Sequence, residues 1–412
     1  MRTTLARLIP LLLASPVFAQ LAVLGDRVHT MAGPGVIRQG VVLINARGKV
    51  ERVGPASEVP VPDGWKTLKA AVVVPGLIDA RSSVGLSGLL NQRHDQDQLE
   101  TSAAIQPELR AIDAYNPNDP LVEWVRSLGV TTLHTGHAPG ELISGQTCLV
   151  KASGNTVEEC LLRETAALSA TLGDGARRDN APGTRAKMVS MLREQFIKAQ
   201  EYQRTRDKPA PAGEKPPTDK PAPPPARDLR MEALCRALSG EIPFMVNAQR
   251  AQDISAALRL AREFNLRLIL EGGSESYLLI DTLRTERVPV LVHPPMARAY
   301  GELENASMST PRTLHDAGID VAFQAGFEGY VPKTRVVLFE AGIAVRQGMS
   351  PDDALAALTV VPARILGIAD RVGSIAPGLD GDLALFDGDP FEYTTHCIGT
   401  VIDGKPFTGA PR

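Results

Sequence analysis

The sequence predicts an α/β protein, a (β/α)8 TIM-like barrel joined to a small β-sandwich built from both chain ends. Two observations predict it. Through the middle of the chain, short apolar runs alternate with runs of helical period. That pattern calls for a parallel sheet flanked by helices, and eight such strand candidates are enough to close a barrel. At both ends the helical period disappears and short β-rich runs are separated by turns.

Residues 1–19 read as a secretory signal: Arg2 and Arg7 at the start, an apolar stretch from Leu8 to Ala14, and Val17-Phe18-Ala19 as the cleavage site before Gln20. The apolar stretch is too short to cross a bilayer, so the expectation is a periplasmic or secreted protein with no membrane span. Residues 20–70 supply the N-terminal part of the sandwich, where runs at 40–45 and 49–54 flank Ala46-Arg47-Gly48 as a hairpin. The barrel is expected over 71–370, with strands at 72–79, 130–135, 147–152, 166–172, 242–246, 266–270, 288–292 and 319–324. Asp119-Pro120 opens the helix before the second strand. Asp253 caps another, whose apolar face is Ile254, Ala257, Leu258 and Ala261 and which Asn265 ends. An insertion at 203–227 cannot join a helix or sheet interior, because 208–225 holds eight of the 32 prolines; it is expected to be a disordered loop. Residues 371–412 return to strand-and-turn patterning and complete the sandwich.

At 412 residues, with 43% hydrophobic and 22% charged residues, the chain can bury a large core and is not a multi-span membrane protein. The formal charge of -3 becomes -5 once Arg2 and Arg7 are removed, and aromatic residues make up 4%. A chain with neither a basic field nor stacking surfaces is not built to bind nucleic acid. Cys148, Cys160, Cys235 and Cys397 match no zinc spacing and allow three pairings if oxidised.

Val74-Pro75-Gly76-Leu77-Ile78-Asp79 resembles the first barrel strand of the amidohydrolase superfamily, in particular its imidazolonepropionase-like metal-dependent hydrolases. The run from Thr359 to Gly367 resembles that family's T-x-x-P-A-x-x-L-G. The run from Gly373 to Leu383 resembles G-x-I-x-x-G-x-x-A-D-L, with Gly381 in the alanine place. The resemblance implies the same barrel and two-ended sandwich, and hydrolysis of non-peptide amide or cyclic amide C–N bonds. It also implies zinc or another divalent metal held by His-x-His on the first strand, a modified Lys or Glu on the fourth, His on the fifth and sixth, and Asp on the eighth. A bound metal lowers the pKa of its water and polarises the carbonyl. At the matching positions this chain has Arg81 and Ser83, then Ser169, Asn247 or Gln249, Gly272, and Gly326 or a neighbour. A guanidinium cannot ligate a cation, so the usual ligand set is replaced, no metal ligands are assigned, and the cofactor stays open.

The candidate catalytic groups are His134 and His137 at the end of the second strand, His293 at the end of the seventh, and Asp95 or Asp97 in the polar loop after the first. Arg81, Ser83, Asn247, Gln249 and Glu271 are candidate binding residues at the barrel mouth. Three functions remain open. The first is a divergent hydrolase acting on a small-molecule substrate. The second is a catalytically inactive barrel that binds a small-molecule ligand. The third is an envelope scaffold working through its loops or the proline-rich insertion. A homo-oligomer is compatible with each.

Overall fold

The computed structural model describes residues 20–90, 92–206, 226–327 and 336–409; residues 1–19, where a signal is expected, and residues 207–225 of the proline-rich insertion lie outside them. The chain begins with an antiparallel meander of β1 (Leu21–His29), β2 (Val36–Ile44) and β3 (Val50–Pro55). Its expected hairpin turn is held by Asn45, whose Oδ1 accepts the N–H groups of Arg47 at 2.9 Å and Lys49 at 3.2 Å. β4 (Lys66–Pro75) runs parallel to β1. Beyond Gly76 the chain leaves this sheet and enters the barrel as β5 (Leu77–Ser82), so the apolar run 72–79 is two elements rather than one strand.

The barrel continues through β6 (Val130–Thr135), β7 (Gly145–Lys151), β8 (Leu161–Thr171), β9 (Phe244–Ala248), β10 (Leu268–Gly272), β11 (Val290–Val292) and β12 (Val321–Phe323), hydrogen-bonded in chain order. Its seam pairs Ser82 with Gly326. There the Gly326 N–H donates to Arg81 O at 2.9 Å, and the Ala325 N–H donates to Asp79 Oδ1, also at 2.9 Å. One strand departs from the all-parallel expectation: β7 is antiparallel to both β6 and β8. The connections explain this. A parallel crossover needs a dozen or more residues, usually with a helix. The β6–β7 loop contains no helix, and the β7–β8 link holds only one helical turn, α2 (Val157–Cys160). The other strands share one direction, which keeps the mouth of a parallel barrel.

α1 (Pro120–Ser127) precedes β6 and is capped as expected, Asp119 accepting the Leu121 N–H at 2.8 Å. α3 (Arg185–Arg206) and α4 (Leu229–Leu238) cover β8 and β9, and α5 (Ala251–Phe264) follows β9. Phe196 of α3 meets Phe244 edge-on at 5.3 Å and Phe264 at 5.2 Å, tying those helices to the barrel wall. Asp253 does not cap α5. The helix begins three residues earlier than such a cap would set it, at Ala251, whose N–H Glu275 accepts at 2.7 Å, while Asp253 pairs with Arg185 at 2.8 Å. Asn265 ends α5 with φ 53°, as its residue type suggests. α6 (Ile280–Thr285), α7 (Thr310–Asp316) and α8 (Val337–Arg346) fill the later crossovers. α9 (Pro351–Ala356) and α10 (Val360–Ile365) then bring the chain beneath the barrel. β13 (Leu383–Phe386), β14 (Cys397–Ile402) and β15 (Lys405–Phe407) return to β4. Both chain ends thereby join one seven-stranded sheet, ordered β15-β14-β13-β4-β1-β2-β3. No helix among the described residues is long and apolar enough to cross a membrane.

Candidate functional site

Side chains alternate across a strand, so residues two apart share the barrel lumen. One lumen layer is a small apolar cluster: Ala80, Ala167, Met245, Ile269, Leu291 and Ala322, from six different strands. Two residues onward, toward the strand ends, the same faces carry Ser82, Ser169, Asn247, Glu271, His293 and Gln324. The chemistry changes from apolar to polar within one step. Five of these six place a buried polar atom where no hydrogen-bond partner meets it: Ser82 Oγ, Ser169 Oγ, Glu271 Oε2, His293 Nε2 and Gln324 Oε1. Buried polar groups are nearly always paired, so such a concentration marks a place shaped for something other than the chain itself.

Above this layer lies a cleft of about 90 Å³ lined by Asn247, Gln249, Glu271, His293, Pro294 and Gln324, with Pro139, Leu303 and Phe327 at its sides. Gly272 shapes the wall. Its φ is +86°, and a Cβ there would lie 2.2 Å from Gln249 Nε2, so the Gln249 amide occupies the space a side chain at 272 would need. Gly326, with φ +68°, likewise keeps its place beside Pro294 side-chain free. Gln249 is itself fixed, donating to Asn247 Oδ1 at 3.3 Å and accepting the Ser274 N–H at 3.3 Å.

Arg81 stands next to Glu271. An irregularity in pairing between Asp79 and Ser82 redirects this part of β5, and the side chain is 2% exposed. Its Nη1 donates to Ser82 O at 2.7 Å and Gly136 O at 3.4 Å, its Nη2 donates to His137 O, and its Nε faces Glu271 Oε2 at 3.5 Å. The guanidinium therefore fastens the β5 and β6 ends together, and Glu271, also 2% exposed, balances its charge. Burial pushes the Asp79 carboxyl up to about 7, against the opposing pull of the Ala325 and Arg81 N–H groups.

The structure thus gathers Asn247, Gln249, Glu271 and His293 into one cleft, with Arg81 against Glu271. It places the other predicted residues apart. His134 is buried in the wall, Nδ1 on Ala80 O at 2.6 Å and Nε2 on Thr147 Oγ1 at 2.7 Å, and burial and then Arg81 push its pKa down to about 3. A neutral ring with both nitrogens engaged is a brace between strands. His137 is packed against Gly145, whose Cβ would lie 2.7 Å from its Cδ2, and burial followed by Arg81 lowers it to about 4. Ser83 begins the turn after β5, its carbonyl accepting from Leu86 and Ser87. Asp95 lies against Gly88 in the following loop and Asp97 is exposed there; neither lines the cleft. Sequence reasoning passed over Ser82 and Gln324. Counting two residues on from each apolar lumen position would have found both.

A match to the amidohydrolase family covers residues 311–407, the α7-to-β15 segment that carries the closing motifs. An imidazolonepropionase from Rhizorhabdus wittichii is 22% identical over 88% of this chain and 92% of its own length. The solved structure of an amidohydrolase from Thermotoga maritima superposes with a TM-score of 0.86 at 29% identity, covering 94% of this chain and all of that one. The chain belongs to the amidohydrolase superfamily. The amidohydrolase tasK of Hapsidospora irregularis is 26% identical over 86% of this chain, which spans 38% of the length of tasK.

The chain is a hydrolase-like member of the superfamily, whose resemblance implies a divalent ion. As the resemblance aligns them, with Arg81, Ser83, Ser169, Asn247 or Gln249, Gly272, and Gly326 or a neighbour at the ligand positions, these residues do not fit one. Arg81 is a permanent cation lying in the lumen, while Gly272 and Gly326 offer no side chain and the space at 272 is filled by Gln249. Among the described residues, no three His, Cys, Asp or Glu side chains come together as ligands.

Proposed function

We propose that this protein is a small-molecule-binding barrel of hydrolase descent, with the cleft over Asn247, Glu271, His293 and Gln324 as its ligand site, and that it does not hydrolyse C–N bonds with a metal. One observation carries the reading: the buried Arg81 guanidinium, fixed on three backbone carbonyls and facing Glu271, lies in the lumen at the position where the superfamily's first ligand is expected. A cation brought to Glu271 would meet this fixed charge in a low-dielectric site, where like charges repel strongly. Arg81 locks the mouth, Glu271 neutralises it, and the polar layer awaits a ligand.

The test is the metal content of protein expressed with zinc, manganese or iron and purified without chelator. The expected result is metal well below one equivalent in every case, with stability unchanged by added ion. Near-stoichiometric metal that is lost on Glu271→Gln or His293→Phe would overturn the reading and restore metal-assisted hydrolysis of an amide-type substrate.

A further inference from the structure

A second hollow lies outside the barrel, between α3 and α5, with a volume of about 500 Å³ against about 90 Å³ for the cleft at the mouth. Its cause is local. Where the two helices pack closely, the rings of Phe196 and Phe264 lie 5.2 Å apart. Nearer the start of α5, the helix lines the hollow with Gln252, Ala256 and Arg259, at i, i+4 and i+7 of one face, and the middle position supplies only a methyl group. A methyl is too small to fill the space between two helices, so a gap remains. The floor is apolar, made by the buried Leu172 just after β8 and by Met188 and Val189 of α3. Ion pairs bridge the helices on either side, Arg185 Nε to Asp253 Oδ1 at 2.8 Å and Arg193 Nε to Glu263 Oε1 at 2.7 Å. The stretch of α3 from Arg185 to Arg193 spans about 12 Å, at about 1.5 Å per residue.

The rim is cationic. Arg185, Arg193 and Arg259 line the hollow with a single carboxylate, Asp253. Both Asp253 oxygens are committed to Arg185, at 2.8 and 3.1 Å, while Glu302 and Glu263 hold Arg185 and Arg193 from outside the lining. Arg259 is exposed and pairs with no carboxylate among the described residues. We propose that the hollow between α3 and α5 is a binding site separate from the mouth cleft, and that it takes a medium-chain carboxylate whose alkyl body lies along Leu172, Met188 and Val189 and whose head meets Arg259. The alkyl body exchanges water for an apolar floor of matching length. The carboxylate accepts parallel N–H bonds from the one guanidinium whose fork is open, and such charge-assisted pairs are stronger than neutral ones. A cationic head on the same chain would meet three guanidinium groups, and a neutral alcohol would gain the floor alone. The volume lies within the range of small-molecule sites.

The experiment uses the whole chain and three probes of equal chain length, octanoate, octan-1-ol and octyltrimethylammonium, each titrated by saturation-transfer NMR below the concentration at which it forms micelles. Octanoate should bind at least about tenfold more tightly than the alcohol or the cation, the difference expected for one charge-assisted contact. Arg259→Gln should weaken octanoate by about tenfold and leave octan-1-ol unchanged. Ala256→Leu, which fills the gap between the helices, should weaken both by about tenfold or more. Arg259 is exposed, so its substitution reports on the site even if Ala256→Leu disturbs the packing of α5. Octan-1-ol or octyltrimethylammonium binding as tightly as octanoate would overturn the carboxylate preference. No binding of octanoate, or binding indifferent to both substitutions, would overturn the site itself.

Discussion

Arg81 and Glu271 form a buried pair whose value shows only when one member is removed. Each is 2% exposed, and Arg81 also holds the carbonyls of Ser82, Gly136 and His137. Arg81→Met strands a buried carboxylate and should cost about 3–5 kcal/mol, with a similar loss for Glu271→Leu. The double variant replaces both charges by apolar side chains and should recover much of that loss. Urea unfolding of the four proteins decides the matter: losses that simply add in the double variant would mean the two side chains do not compensate each other. At this scale the sequence was informative about residue identity, since Arg81 and Gly272 can be read directly at positions the resemblance assigns to ligands, with Gly326 or a neighbour at the last of them. It was silent about orientation. His134, His137 and His293 look alike as letters near strand ends, yet one braces two strands, one packs on Gly145, and one lines the cleft with its Nε2 unpartnered. What separates them is what each nitrogen meets: Ala80 and Thr147 for His134, Pro294 for one nitrogen of His293, and no partner for either nitrogen of His137, and none of this follows from nearness to a strand end.

At the scale of elements, periodicity located all eight barrel strands, but it could not see the break at Gly76 or the reversal of β7. An apolar run has no mark for the point at which it changes sheets. The break has a physical signature in packing: a Cβ on Gly76 would lie 2.1 Å from Thr131 Oγ1, 2.4 Å from its Cγ2 and 2.7 Å from its Cβ. Gly76 is not among the residues with positive φ, so the demand for glycine here is steric. Gly76→Ala should therefore destabilise by about 1–3 kcal/mol, the usual cost of overpacking. Thr131→Ala in the same chain removes the two nearest obstructing groups and should return part of that loss. Thermal unfolding measures both; an unaffected Gly76→Ala, or a double variant no better than the single, would show that β4 and β5 can separate without this close approach. The reversal of β7 was legible in principle, because its connections are too short for two crossovers, but loop length carries that signal and strand pattern does not.

At the scale of the whole molecule, the terminal sheet and the barrel are joined by buried charge. Lys151, at the far end of β7 from the mouth, meets Asp380 at 2.6 Å, Asp382 at 3.1 Å and Asp403, while Lys49 and Arg371 also hold Asp380, the latter at 2.8 Å. Asp380 and Asp382 belong to the closing motif and Lys151 to the barrel wall, so the motif's carboxylates serve as a clasp between the two sheets. Burial pulls the Lys151 pKa down, but Asp382, Asp403 and Asp380 outweigh it and raise the pKa, which keeps the lysine charged. Burial pushes Asp382 up to about 6 even with Lys151 beside it. Lys151→Met should cost about 3–5 kcal/mol at pH 7, because it leaves buried carboxylates with too few cations. The same reasoning sets a pH dependence. Without Lys151 the Asp382 pKa rises further above its unfolded value. The folded variant then takes up a proton that the unfolded chain does not, so its stability increases as pH falls from 7 to 5. The parent gains less over that range, since Lys151 already favours the charged form. Urea unfolding at the two pH values should therefore show the deficit of Lys151→Met shrinking at pH 5. A deficit that is equal at both, or larger at pH 5, would mean that Lys151 acts through packing of its stem rather than by balancing the carboxylates that clasp the sheet to the barrel.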